Sequence, residues 1–322
     1  MIFGKQVEKI YKNRLYTRYE QSDTAFYFSP SDFEGLKAEP YAFLGKRGNR
    51  LQGYFYSYPD PIPCRLVVFE HGMGSGHRSY MREIETLARQ GYLVFSYDRT
   101  GCVESEGAYA GGFGQALCDL DDCLTAFKKD ERYKNTVFSV IGHSWGGYST
   151  MNIPALHPDI RHIVAISGFL SIKQMHRQLF GKNLLSFYRK QLYRVDLKEH
   201  PDYAPLDARS ALKDTSANAL IIHSRDDATV SAKLHFEVLR DAARENPNVT
   251  FLLTDKKGHN PTYTEDAVRY KQAYFSALAK RQKKKPPLSP EEKAKMVQEA
   301  DWWRMTAQDP EIWDMIFTHL EK

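Results

Sequence analysis

Ser144 stands in Gly142-His143-Ser144-Trp145-Gly146, a G-x-S-x-G sequence that follows the apolar pair Val140-Ile141 and precedes a segment able to form a helix. The pattern is that of a nucleophile presented on a sharp strand-to-helix turn. Side chains two positions either side of such a serine would clash, so Gly142 and Gly146 leave the turn room, and Gly147 lets the helix sit close to the sheet. Free backbone N–H groups at the helix N-terminus favour negative charge there. A hydroxyl is a weak nucleophile and needs a base that is itself oriented by a third group.

With this turn, the acid follows the serine in the chain and the histidine follows the acid. The run "ALIIHS" (219–224) leads into Arg225-Asp226-Asp227-Ala228-Thr229-Val230, and "VTFLLT" (249–254) leads into a loop carrying His259. Asp227 is the expected acid because of its spacing to the apolar anchor Val230, with Asp226 the alternative; an isolated Asp in a turn is otherwise most often a cap. His259 follows Gly258 at the right point of the order. His71, His143, His162 and His223 lie in or beside strand ends and read as packing or hydrogen-bonding residues. The turn His71-Gly72-Met73-Gly74 supplies a backbone N–H at Met73 which, with the N–H of Trp145, would complete an oxyanion hole.

These residues need a sheet to hold them. Apolar runs at 65–70, 92–98, 136–142, 162–167, 219–224 and 249–254 are continuous rather than alternating, as in a parallel sheet buried on both faces. Helical segments separate several of them: "SYMREIETLARQG" puts Ile84, Leu87 and Ala88 on one face and stops at Gly91. Strand and helix in alternation predict an α/β fold with a mostly parallel central sheet. Residues 41–59 read as an antiparallel hairpin leading into it.

The expected organisation is an N-terminal extension (1–40), a core (41–167 and 206–280), a helical insertion (168–205), and a basic linker with C-terminal helices (281–322). Ser289-Pro290-Glu291 and Asp309-Pro310-Glu311 are helix starts. A stripe of Ile312, Met315, Ile316 and Leu320 should dock the last helix on the body.

Composition limits the alternatives. The chain has 322 residues with 42% hydrophobic and 26% charged side chains, the balance of a globular protein with a substantial core. A net charge of +5, much of it in "KRQKKK" at 280–285, reads as a solvated linker and gives no warrant for nucleic-acid binding. Cys64, Cys102, Cys118 and Cys123 form no CxxC pair or metal-spaced cluster, so free thiols and a cytoplasmic location are expected. There is neither a signal-type apolar segment nor a membrane-length run.

Together, "HGMG", "DRTGCVES", "GHSWGG", "HSRDDATV" and "GHNP" resemble the α/β-hydrolase fold superfamily, in particular its monoacylglycerol-lipase and serine-aminopeptidase-like esterase branch, over roughly residues 40–280. The resemblance implies Ser144 as nucleophile, Asp227 as triad acid, His259 as base, and Met73 and Trp145 as oxyanion donors. It makes 168–205 a cap over an acyl pocket, with Phe169, Phe180 and Tyr188 as expected lining. One departure is Val103, which stands where the branch's D-x-x-G-x-G-x-S loop has its second glycine.

The implied activity is hydrolysis of small or medium acyl or aryl esters, with no metal or organic cofactor required. A thioesterase or small-amide peptidase would use the same residues, and a non-catalytic ligand-binding member of the fold is a further alternative. Seven Lys/Arg against three Asp/Glu between 169 and 203 would suit an anionic substrate, or simply the wet faces of cap helices.

Overall fold

Eight strands make one sheet in the computed structural model, which describes residues 2–74, 76–181 and 184–322. They are β1 (Lys37–Leu44), β2 (Arg50–Ser57), β3 (Arg65–Glu70), β4 (Leu93–Tyr97), β5 (Val137–His143), β6 (His162–Ile166), β7 (Asn218–Ser224) and β8 (Val249–Thr254). Their order across the sheet is β1-β2-β4-β3-β5-β6-β7-β8. The hairpin β1–β2 is antiparallel and meets β4 antiparallel, whereas β4 through β8 pair in parallel. Sequence and structure agree on an α/β fold with a mostly parallel sheet.

The continuous apolar runs have a plain cause. Along β5, β6 and β7 alternate residues enter two different cores, with Val140, Ile163, Ala165, Ala219 and Ile221 on one face. Ile141, Val164, Ile166, Leu220 and Ile222 are on the other. Both faces are dry, so neither parity of the strand is free to be polar.

Twelve helices connect and cover the strands among the described residues: α1 (Ile2–Leu15), α2 (Met81–Arg89), α3 (Phe113–Lys129), α4 (Trp145–Asn152), α5 (Ile172–Phe180), α6 (Arg189–Glu199), α7 (Ala208–Lys213), α8 (Phe236–Ala243), α9 (Glu265–Gln282), α10 (Pro290–Glu299), α11 (Trp302–Met305) and α12 (Pro310–Leu320). None is long and apolar enough to cross a membrane. All four cysteines are unpaired.

Both ends of the chain join the body. In α1, Val7, Tyr11 and Leu15 recur every four residues and bury against the core that holds Phe113 of α3 and Leu192 of α6. At the other end, Ile312, Ile316 and Leu320 of α12 pack on the opposite face. The expected stripe is corrected in one place: Met315 is half exposed, and Trp313 is buried in its stead. At 100° per residue, a face holding Ile312, Trp313, Ile316 and Leu320 leaves Met315 on its margin.

Register sets where the loops emerge. Glu70 pairs with Gly142, His143 with Ile166, and Ser224 with Thr254. The turns after β3, β5, β7 and β8 therefore leave from the same edge of the sheet, the edge where crevices form in open α/β folds.

Candidate active site

At the end of β5 the chain turns at Ser144 with φ 58° and ψ −113°, and α4 begins at the next residue. A non-glycine residue with positive φ is strained and persists only where its surroundings enforce it. Here a hydrogen bond from Ser144 N–H to the Ile166 carbonyl (2.8 Å) ties the turn to β6. The flanking glycines are obligatory by contact. A Cβ on Gly142 would lie 2.4 Å from the Gly146 carbonyl oxygen, and one on Gly146 would lie 2.2 Å from that of Glu70.

Ser144 Oγ is 2.8 Å from His259 Nε2, and His259 Nδ1 is 2.7 Å from Asp227 Oδ2. Since a carboxylate only accepts, the proton belongs on Nδ1, which leaves Nε2 to accept from the serine hydroxyl. Burial by itself would raise the Asp227 carboxyl. Hydrogen bonds from His223 and His259 outweigh it and hold the group well below the usual range, so it stays anionic. Its second oxygen accepts from the N–H groups of Thr229 (2.8 Å) and Val230 (3.0 Å), which fixes the carboxylate's orientation.

Asp226 faces elsewhere. It is exposed and accepts from Ser224 Oγ (2.5 Å) and from Gly258 N–H (3.1 Å), binding the β7 loop to the loop that carries His259.

The turn after β3 is held by a buried cation. Arg99, at the end of β4, donates to the Gly72 carbonyl, which also accepts from His71 Nδ1 (2.7 Å). In a trans peptide the C=O and the following N–H point opposite ways, so the Met73 N–H is directed away from Arg99. The Met73 side chain is half exposed. The Arg99 guanidinium also lies over the Trp145 ring at 4.7 Å, and the Trp145 indole donates to the Phe113 carbonyl (2.8 Å).

The three side chains expected to line a pocket under the cap are placed differently from one another. Phe169 is sealed in the core, stacked flat on Tyr148 at 4.6 Å, which corrects its reading as an open lining residue. Phe180 meets Tyr11 edge-on at 6.5 Å. Tyr188 is also on the α1 side, since a Cβ on Gly4 would lie 3.2 Å from its ring. The apolar stripe of α1 needs a partner, and the inner side of the 168–205 insertion supplies it.

One trio of metal-type donors clusters among the described residues, Cys118, Asp119 and Asp122 on α3. Asp119 already accepts from Thr100 and Gln115, and Asp122 from Lys46 N–H. Burial pushes the Cys118 thiol up to about 12, so it is protonated and a poor ligand.

Residues 61–214 match a family model described as serine aminopeptidase, S33. An esterase of Pyrococcus furiosus superposes with a TM-score of 0.58 at 19% identity, over 83% of this chain and 96% of that one. The chain has the α/β-hydrolase fold. Acetyl xylan esterase 1 from Thermoanaerobacterium sp. gives 0.50 at 17% identity, over 86% of this chain and 91% of that one. The acylaminoacyl peptidase of Pyrococcus horikoshii gives 0.54 at 16%, over 82% of this chain but 44% of that one. No curated protein sequence matches the chain.

Three neighbours of the site, Arg99, His223 and Tyr80, have no specific role that the sequence motifs assign. Arg99 and His223 lie within quoted motifs, but Arg99 meets the Gly72 carbonyl, and His223 meets both the Val230 carbonyl (2.8 Å) and the Asp227 carboxylate (3.3 Å), partners that no motif specifies. Tyr80 lies on an ordinary helical approach and gives no sequence signal at all.

Proposed function

We propose that this chain is a serine hydrolase of the α/β-hydrolase superfamily that cleaves carboxylic esters of small or medium acyl or aryl groups through an acyl-enzyme. The observation that carries the reading is the unbroken line Ser144 Oγ to His259 Nε2 (2.8 Å) and His259 Nδ1 to Asp227 (2.7 Å). His259 takes the serine proton as Oγ attacks the ester carbonyl, and the oxyanion rests on the N–H groups of Met73 and Trp145. The C–O bond to the alcohol then breaks as His259 Nε2 returns the proton to the leaving oxygen. Water repeats the sequence on the acyl-serine and frees the acid. Asp227, anionic and doubly anchored, keeps the imidazole in the required tautomer and stabilises the imidazolium. The pinned Gly72 carbonyl supports Met73 as a donor, because it fixes the direction of the next N–H. Esterases among the structural neighbours favour esters over thioesters and amides as the first substrates to try.

The test is hydrolysis of p-nitrophenyl esters from acetyl to palmitoyl, with Ser144→Ala as control. Turnover lost in the variant supports the reading. Turnover retained by folded Ser144→Ala refutes it, and activity confined to thioester or anilide substrates moves the assignment to those bonds.

A further inference from the structure

His143, the residue before the nucleophile, is buried and makes two directed contacts. Its Nε2 is 2.6 Å from the carbonyl oxygen of His259, and its Nδ1 is 2.8 Å from Tyr80 Oη. A carbonyl only accepts, so Nε2 carries the proton. Burial, and then the neighbouring His259, hold the His143 conjugate acid down to about 3, so the ring is neutral and Nδ1 has a lone pair. Tyr80, whose own ionisation burial pushes up, is a phenol at any working pH and must donate to that lone pair. The Tyr80 oxygen also packs against Gly72, in the turn after β3. A Cβ on Gly72 would lie 2.4 Å from that oxygen, 3.5 Å from His143 Nδ1 and 3.4 Å from Ser144 Cβ. Both protons in the relay thus have one direction: Tyr80 O–H to His143, and His143 N–H to the His259 carbonyl.

This relay ties the turns after β5 and β8 to Tyr80, which packs against the turn after β3, a span that no single element covers. The His143 and His259 rings are 4.7 Å apart. A neutral His143 there avoids placing a second cation beside the imidazolium that forms in catalysis. We infer that His143, oriented by Tyr80, is a positioning residue that fixes the backbone of His259 and so the reach of its imidazole to Ser144. The inference rests on the serine-hydrolase reading above.

Two near-isosteric substitutions divide the role. In His143→Gln the amide nitrogen reaches the Nε2 position and keeps the donor to His259. In His143→Asn the side chain ends at the δ position, where it serves Tyr80 but not His259. His143→Asn should lower kcat on p-nitrophenyl acetate, and the rate of fluorophosphonate labelling of Ser144, by up to about a hundredfold, the scale of a misplacement near 1 Å. KM should stay near the wild-type value, and His143→Gln should recover most of the loss at a similar Tm. Two results overturn the inference: His143→Asn reacting at the wild-type rate, or His143→Gln as slow as His143→Asn with both folded. Failure of the underlying reading looks different, because Ser144→Ala would keep turnover or the wild type would have none. In either case ¹⁵N NMR of the imidazoles still decides: a neutral Nε2–H tautomer of His143 from pH 5 to 8 is predicted, and an Nδ1–H tautomer or a titration in that range overturns it.

Discussion

Glu70 closes β3 with 1% of its surface exposed, and its backbone carbonyl lies against Gly146, two residues after Ser144. Neither carboxyl oxygen meets a hydrogen-bond partner among the described residues. Burial pushes the group up to about 7, with Arg99 pulling the other way. In the unfolded chain a glutamate titrates near 4.3. Between these values the unfolded state sheds its proton while the folded state keeps it, so stability is full below about pH 4 and is lost as pH rises to 7. A shift of this size is worth about 4 kcal/mol in full. Glu70→Gln has the same shape and cannot ionise, so it should remove this loss. Urea unfolding of both proteins at pH 4.5, 6 and 7.5 measures the effect. The variant should gain on the wild type by about 3 kcal/mol across that range, most of it between 4.5 and 7. Other groups change both proteins alike, so the pH dependence of the difference is the readout. A difference that does not move with pH would refute the argument, because it would mean that Glu70 is ionised in the folded protein.

Two further outcomes follow from the geometry. Arg99→Met frees the Gly72 carbonyl and with it the direction of the Met73 N–H; kcat should fall by about 10²–10³, the worth of one oxyanion donor, with KM little changed. A folded variant with wild-type kcat contradicts that role. Val103, at the position of the missing second glycine, has φ 37°, with its N–H bonded to the Tyr19 carbonyl (3.0 Å) and its own carbonyl accepting from Arg18. A left-handed conformation costs an L-residue about 1–2 kcal/mol, more than glycine's entropic penalty of about 0.5–1 kcal/mol. Val103→Gly should therefore raise Tm by a few degrees in calorimetry, and a lower Tm counts against the strain.

Legibility in the sequence followed the physics of each feature. The inner parallel strands could be read because both of their faces are dry, so most of their positions are apolar, whereas β8, at the sheet edge, is only half-buried and was legible from its apolar run alone. Ser144, Asp227 and His259 could be placed together because each follows a strand whose end must lie on one edge, and spacing to Val230 favoured Asp227 over Asp226. Phe169 illustrates the limit: an aromatic residue just after a strand serves a core as well as a pocket, and only its stacking on Tyr148 separates the two. The docking of α1 was hidden by its many polar residues, because Val7, Tyr11 and Leu15 form a stripe just one residue wide. The ties made by Arg99 and His143 end on backbone carbonyls, and a carbonyl's direction is not written in any residue's identity.

The central claim is that Ser144 is a nucleophile activated by His259 and Asp227. Its most direct test is the reaction of the protein with a fluorophosphonate at neutral pH, read by intact mass and peptide mapping. The account predicts one adduct per chain, on Ser144, with none on Ser144→Ala and a much slower reaction in Asp227→Asn. A folded wild-type protein left unmodified, or an adduct on another residue, would contradict it.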